Sequence, residues 1–101
     1  MMVYIYLRHA VEDYDAWKPG FDAHASTRRE YGSRENYFLF HAADDSNDVA
    51  MLGEWDTAEN FQRFMEESDV KEKMGELGVV GEPEVTVFEA LETMTPQPPA
   101  A

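Results

Sequence analysis

Trp17, Phe21, His24, Arg28 and Tyr31 follow one another at steps of four, three, four and three residues, the spacing that places side chains on one face of an α-helix. Three aromatic rings on such a face bury readily. A histidine and an arginine among them do not, because an imidazole or guanidinium removed from water without a partner is heavily penalised. Two accounts of the pair follow. In the first, both line a cavity: histidine, the side chain that changes charge nearest neutral pH, takes a proton from a bound molecule, and the arginine steadies the negative charge left behind. In the second, His24 bonds to a backbone carbonyl and Arg28 extends past Tyr31 to solvent.

A cavity of the first kind is expected to be walled by Trp17, Phe21 and Tyr31 from this segment and by Trp55, Phe61 and Phe64 from a later one. Such a lining suits a planar aromatic or polyketide-like molecule that carries an oxyanion, the rings supplying burial and the two polar residues supplying orientation. Phe61 and Phe64 also fit a plain hydrophobic core. His9, His24 and His41 are enough imidazoles for a metal triad, but they lie on three different elements with no His-x-x-x-His pair, so no metal site is expected. His9 and His41 read as strand-end residues near solvent. The adjacent carboxylates Glu12/Asp13, Asp44/Asp45 and Glu66/Glu67 point to different faces and read as solvated surface. Cysteine is absent, which removes disulfides and thiol chemistry. No glycine-rich phosphate loop or serine elbow is present, so nucleotide-dependent chemistry and serine hydrolysis fall away.

These residues need elements to hold them. Val3 to His9 alternates Val3, Ile5, Leu7 and His9 against Tyr4, Tyr6 and Arg8 and reads as a central strand with both faces occupied. A single helix follows from Asp15 to Gly32, capped by Asp13 or Asp15, tolerating Pro19 near its start and stopped by Gly32. Asn36 to Ala42 and Val49 to Trp55 form a hairpin around a polar turn from Ala43 to Asp48. Asp56 with Glu59 forms a capping box for a second helix that turns Phe61, Phe64 and Met65 inward, and Ser68 restarts it with Val70, Met74 and Leu77 as far as Gly78. Pro83 precedes a last strand, Glu84 to Leu91. The domain is expected over residues 1–92, with residues 93–101 as a flexible Pro-rich tail.

The order β-α-β-β-α-β is that of a ferredoxin-like α+β fold, a four-stranded antiparallel sheet with its helices on one face. Its other face is expected to be covered by a second copy packed sheet to sheet, giving a homodimeric barrel. The alternation alone leaves open whether Tyr4, Tyr6 and Arg8 line the helix-covered pocket or the dimer seam.

Composition narrows the partners. With 21 Asp plus Glu against 8 Lys plus Arg, the net charge of the 101 residues is −13, and the only lysines are Lys18, Lys71 and Lys73. Such a surface repels nucleic acid and anionic membranes. A 44% hydrophobic and 13% aromatic content still demands a folded core. High acidity with scarce lysine is similar to that of cytosolic proteins from salt-accumulating halophiles. No run of about 18 apolar residues could span a bilayer, and Met1 to Leu7 lacks the basic stretch and cleavage site of a signal peptide. A cytoplasmic location is expected.

The pattern Asp13-Tyr14-Asp15-Ala16-Trp17-Lys18, then Phe21-Asp22-Ala23-His24 and Arg28, then Glu54-Trp55-Asp56 with Phe61, Phe64 and Ser68-Asp69-Val70, resembles small dimeric α/β-barrel proteins grouped with the antibiotic biosynthesis monooxygenases. The resemblance spans about residues 3–91. It implies a homodimer and, for the monooxygenase members, oxidation of polyphenolic substrates with no metal, flavin or other cofactor. Other members degrade haem or isomerise lactones. The haem-degrading branch places an iron-binding histidine on the second helix, where this chain reads Lys71-Glu72-Lys73-Met74-Gly75 and no histidine follows His41. Phe64 stands where that branch has a tryptophan. Haem degradation is not expected. A small-molecule enzyme similar to the cofactor-independent monooxygenases and a non-catalytic dimer that binds a small hydrophobic metabolite both remain compatible with these residues.

Overall fold

The computed structural model describes residues 2–92; the expected tail, residues 93–101, lies outside them. The elements run β1 (Val3–Val11), α1 (Tyr14–Ala23), α2 (Ala25–Tyr31), β2 (Ser33–Ala42), β3 (Asp45–Trp55), α3 (Ala58–Glu67), α4 (Val70–Glu76) and β4 (Val79–Glu89). The four strands form one sheet in the order β2-β3-β1-β4, and every neighbouring pair is antiparallel. This is the ferredoxin-like α+β arrangement.

Several boundaries differ from those the sequence implies. The first helix is two. At the end of α1 the His24 N–H is shared between the carbonyls of Gly20 and Phe21, and α2 begins with the bond from Arg28 N–H to the His24 carbonyl. A shared donor of this kind is common at helix ends. Asp13, rather than Asp15, caps α1, its carboxylate accepting from the Asp15 N–H at 3.1 Å. The cap of α3 is Thr57, whose hydroxyl accepts from the Asn60 N–H at 3.0 Å, so Asp56 and Glu59 do not form the expected capping box. Asp56 instead accepts from the Thr57 N–H and the Asn60 side chain. The polar turn shrinks to Ala43 and Asp44 because both hairpin strands run on past their apolar stretches. Strand β4 likewise starts well before Pro83, and the register of β1 against β4 shifts between Arg8 and Ala10, opposite Glu84 and Val80. Three residues of β4, Gly81 to Pro83, bulge out there. Pro83 has no N–H to give a ladder and Gly81 takes a φ of +74°, which accounts for the irregularity.

Strand register settles which parity faces the helices. Val3, Ile5, Leu7, His9 and Val11 are buried; the first four pair with Trp55, Gly53, Met51 and Val49 on β3 and Val11 with Val79 on β4. Tyr4, Tyr6 and Arg8 therefore lie on the helix-free face, with Leu52 and Ala50 of β3, Phe38 and Phe40 of β2 and Phe88 of β4. Phe38 is 66% exposed and Phe40 52%, and their rings stack at 5.9 Å. Arg8 on this face is held by Asp48.

Candidate functional site

Two hydrophobic clusters fill the space between sheet and helices. One gathers Val3, Ile5, Trp55, Phe61, Phe64 and Val70; the other gathers Val11, Trp17, Phe21 and Val49. Between them lies a cavity of about 70 Å³ lined from both sides. Leu7, His9, Val49 and Met51 of the sheet form its floor; Trp17, Phe21, His24 and Arg28 form one wall; Trp55, Phe61, Phe64, Met74 and Leu77 complete it. The roof is tight where α1 meets the residue after α4: a Cβ on Gly20 would displace the end of the Leu77 side chain. An apolar cavity of about 150 Å³ holds benzene, and an aromatic ring enters this smaller one only as its walls yield. Met51 and Met74, unbranched thioethers, yield most readily.

Of the residues expected at the site, Trp17, Phe21, His24, Arg28, Trp55, Phe61 and Phe64 all border this cavity. Phe61 and Phe64 are at once core and cavity wall. Tyr31 does not border it: Tyr31 packs against Phe64 at 5.8 Å and lies under the Arg63 guanidinium.

His24 sits at the junction of α1 and α2, its side chain 12% exposed. Its Nε2 lies 2.9 Å from Asp69 Oδ1, at the cap of α4. A carboxylate accepts, so the proton sits on Nε2 and the lone pair of the neutral ring on Nδ1. The same hydrogen bond holds the Asp69 carboxyl below its ordinary range. His24 borders the cavity as one of the two accounts expects, and in place of the backbone carbonyl of the other account it bonds Asp69, a contact that ties α1 to the start of α4.

Arg28 is buried at 5% exposure and fully engaged. Nε and Nη2 donate to the two Glu35 carboxylate oxygens at 3.0 and 2.8 Å, Nη1 donates to the Phe21 carbonyl at 2.7 Å, and the guanidinium lies 4.0 Å over the Phe21 ring. It does not snorkel to solvent. Glu35 reaches it from a left-handed backbone position, φ +51°, inside the irregular start of β2, with Ser33 Oγ accepting from its N–H and donating to its carboxylate. Burial alone pushes the Glu35 carboxyl up, but the bonds from Arg28 and Ser33 and the charges of Arg28 and Arg29 outweigh it and leave the group below its ordinary range. Arg28 therefore presents a neutralised ion pair to the cavity.

His9, expected at a strand end near solvent, is instead inside β1 and faces inward. It is 7% exposed, edge-on to Trp17 at 5.6 Å, and its Nδ1 is buried with no hydrogen-bond partner. Burial pushes the imidazole below its ordinary pKa, the carbonyls of His9 and Ala10 offsetting this in part. Its place in the Val3-Ile5-Leu7 alternation is the signal that it points inward. His41, by contrast, is at the exposed end of β2, bonded to the Ala42 carbonyl. Among the described residues no three histidines, aspartates or glutamates come together as a metal site, and no helix is long and apolar enough to cross a membrane.

The chain matches no protein-family model and no curated protein, but solved structures share its architecture. The cofactor-independent oxygenase SnoaB of Streptomyces nogalater superposes with a TM-score of 0.73 over 92% of this chain and 96% of its own, at 18% identity. An antibiotic biosynthesis monooxygenase-like protein of Bordetella bronchiseptica gives 0.72 over 90% and 98%, at 17% identity. This is the antibiotic biosynthesis monooxygenase-like fold. A third such protein, from Nitrosomonas europaea, gives 0.68 over 89% and 90%, at 15% identity. At these identities the likeness is one of fold.

Proposed function

We propose that this chain is a homodimeric small-molecule enzyme of the cofactor-independent oxygenase type, acting on a small aromatic or hydrophobic substrate in the cavity between the two core clusters. One observation carries the reading: an apolar, aromatic-walled cavity sits beside a histidine whose Nε2 is fixed by Asp69, which in the neutral ring leaves the lone pair on Nδ1. A histidine oriented by a carboxylate is built to accept a proton. In the proposed reaction His24 takes the proton of a substrate phenol, and the electron-rich phenolate reacts with O2. One oxygen atom enters the ring, the other leaves as water, and the phenol becomes a quinone. SnoaB, described as a cofactor-independent oxygenase, supports the assignment by fold.

The dimer belongs to the same proposal. Phe38, Phe40, Val80 and Phe88 are each at least half exposed on the helix-free face, apolar surface of the kind a partner covers, and a second copy packed sheet to sheet would bury it. The charge of −13 supports a salt-rich cytoplasm as the setting.

A non-catalytic dimer that sequesters a small hydrophobic metabolite is the second reading. It is favoured by the engagement of Arg28 with Glu35 and of His24 with Asp69, which leaves little free charge for chemistry. Oxygen uptake with small phenols decides between the two. For the enzyme, wild type consumes O2 and His24→Ala loses at least about a hundredfold in rate while binding within a few-fold of wild type. Binding without oxygen uptake, in wild type and variant alike, assigns the sequestering role.

A further inference from the structure

We infer that His9 is the recognition residue of this cavity: its imidazole donates to the hydroxyl oxygen of a neutral, single-ring ligand, and the cavity selects an undissociated phenol or alcohol over a carboxylate. The inference rests on the proposed cavity site and names what that site takes.

Three observations converge on His9. Its ring borders the cavity and is more than nine-tenths buried, yet Nδ1 has no partner. A buried polar atom left unmatched is costly to folding and is an exception in native proteins. Second, no side chain of a described residue hydrogen-bonds the ring, near which lie only the carbonyls of His9 and Ala10 among the groups that act on it, although every other ionisable side chain of the wall, Lys73 included, is matched: Arg28 with Glu35, His24 with Asp69, Lys73 with Glu76. Third, β4 bulges directly opposite, its register broken between the partners of Arg8 and Ala10 so that His9 has no partner there. Bulges gather beside functional sites, where they re-aim side chains.

These pairings also fix the ligand's charge. Each cation of the wall already has a carboxylate, so an anionic ligand would find no free counter-charge and would enter a chain of net charge −13. A hydroxyl suits the site because its oxygen accepts from an imidazole N–H and its proton remains available to a second acceptor. In a cavity this small, the hydroxyl held by His9 is the one whose proton His24 takes. The proton then passes from the ligand to the His24–Asp69 pair, which becomes neutral as the ligand becomes negative, so no net charge enters. The neutral N–H of His9 supplies the support for the developing phenolate that Arg28, bound to Glu35, does not.

The test is titration of the full chain with phenol, toluene and benzoate in 1 M KCl, where long-range repulsion is screened. Wild type is expected to bind phenol about tenfold tighter than toluene, the worth of one net hydrogen bond, and benzoate more weakly than either. His9→Phe keeps an apolar ring and is expected to bind toluene as wild type does while losing the preference for phenol. A preference retained in His9→Phe, or benzoate as the tightest ligand of wild type, overturns the inference and leaves the cavity site standing. Failure of all three probes to bind wild type overturns the cavity site and the inference together. Should His9→Phe not fold, the ring 15N signals of His9 in wild type decide: phenol must shift them and toluene must not, and equal shifts overturn the inference.

Discussion

Removing the Arg28 guanidinium tests how the site is held together. In Arg28→Ala the Glu35 carboxylate keeps only the Ser33 hydroxyl, and the Phe21 carbonyl is left with its share of the His24 N–H. Breaking one side of a buried ion pair costs about 3–5 kcal/mol. Glu35, with its side chain 14% exposed, recovers some hydration, which places the loss near the lower end, about 3 kcal/mol. The lost stacking on Phe21 adds up to about 1 kcal/mol. For a domain of this size a kcal/mol moves the melting midpoint by about 4–8 °C, so a fall of more than about 12 °C is expected. Arg28→Met with Glu35→Leu removes both charges and is expected to return to within about 1 kcal/mol of wild type. Urea unfolding of Arg28→Met, Glu35→Leu and the double variant in 1 M KCl gives the coupling directly. A loss below about 1 kcal/mol in Arg28→Ala, or a double variant as unstable as the sum of the singles, would show that the pair is not structural. Arg28 would then be free to meet a ligand.

Salt should stabilise the fold, because repulsion across a surface of −13 acts over about 10 Å at 0.1 M but about 3 Å at 1 M; a melting midpoint that is flat or falling from low salt to molar KCl contradicts this. Light scattering in concentrated salt is expected to give twice the 11.6 kDa chain mass, and Phe38→Glu with Phe40→Glu to give the single-chain mass; a monomeric wild type contradicts the barrel. Acid should weaken the fold in two steps of known sign. His9 is depressed below its ordinary 6.5, so its contribution is complete above that pH and is lost as pH falls towards its folded value, because the unfolded chain binds the proton first. Glu35, depressed below 4.5, contributes above that pH and is lost at lower pH. In His9→Phe the upper step should vanish from the stability profile, and a step that persists there belongs to another group.

Much of the fold is legible because its signals are local. The two-residue alternation of β1 and the helical stripe through Trp17 and Phe21 each follow from where a side chain must point, and together they bring seven of the eight expected residues to one cavity. What escapes the sequence depends on contacts between distant segments. No residue type at His24 marks a helix end, and no spacing shows that Tyr31 packs outside the cavity against Phe64 and Arg63. Nor does any spacing mark Glu35 as the partner of Arg28, since its reach depends on a left-handed backbone in an irregular stretch of β2. His9 is different: its parity marked it as inward, and reading it as a strand-end residue ignored that β1 continues to Val11. The face carrying Tyr4, Tyr6 and Arg8 needed the register with β3 and β4, which alternation alone does not contain.

The most direct measurement is the position of a heavy-atom phenol, 4-bromophenol, located by bromine anomalous scattering in crystals of the full chain. The ring is expected between the Trp17–Phe21 and Trp55–Phe64 walls, with Met51 or Met74 displaced and the hydroxyl within hydrogen-bond distance of the His9 and His24 rings. Bromine found only on the helix-free face, around Phe38 and Phe40, with the cavity closed at saturating ligand, would contradict the account.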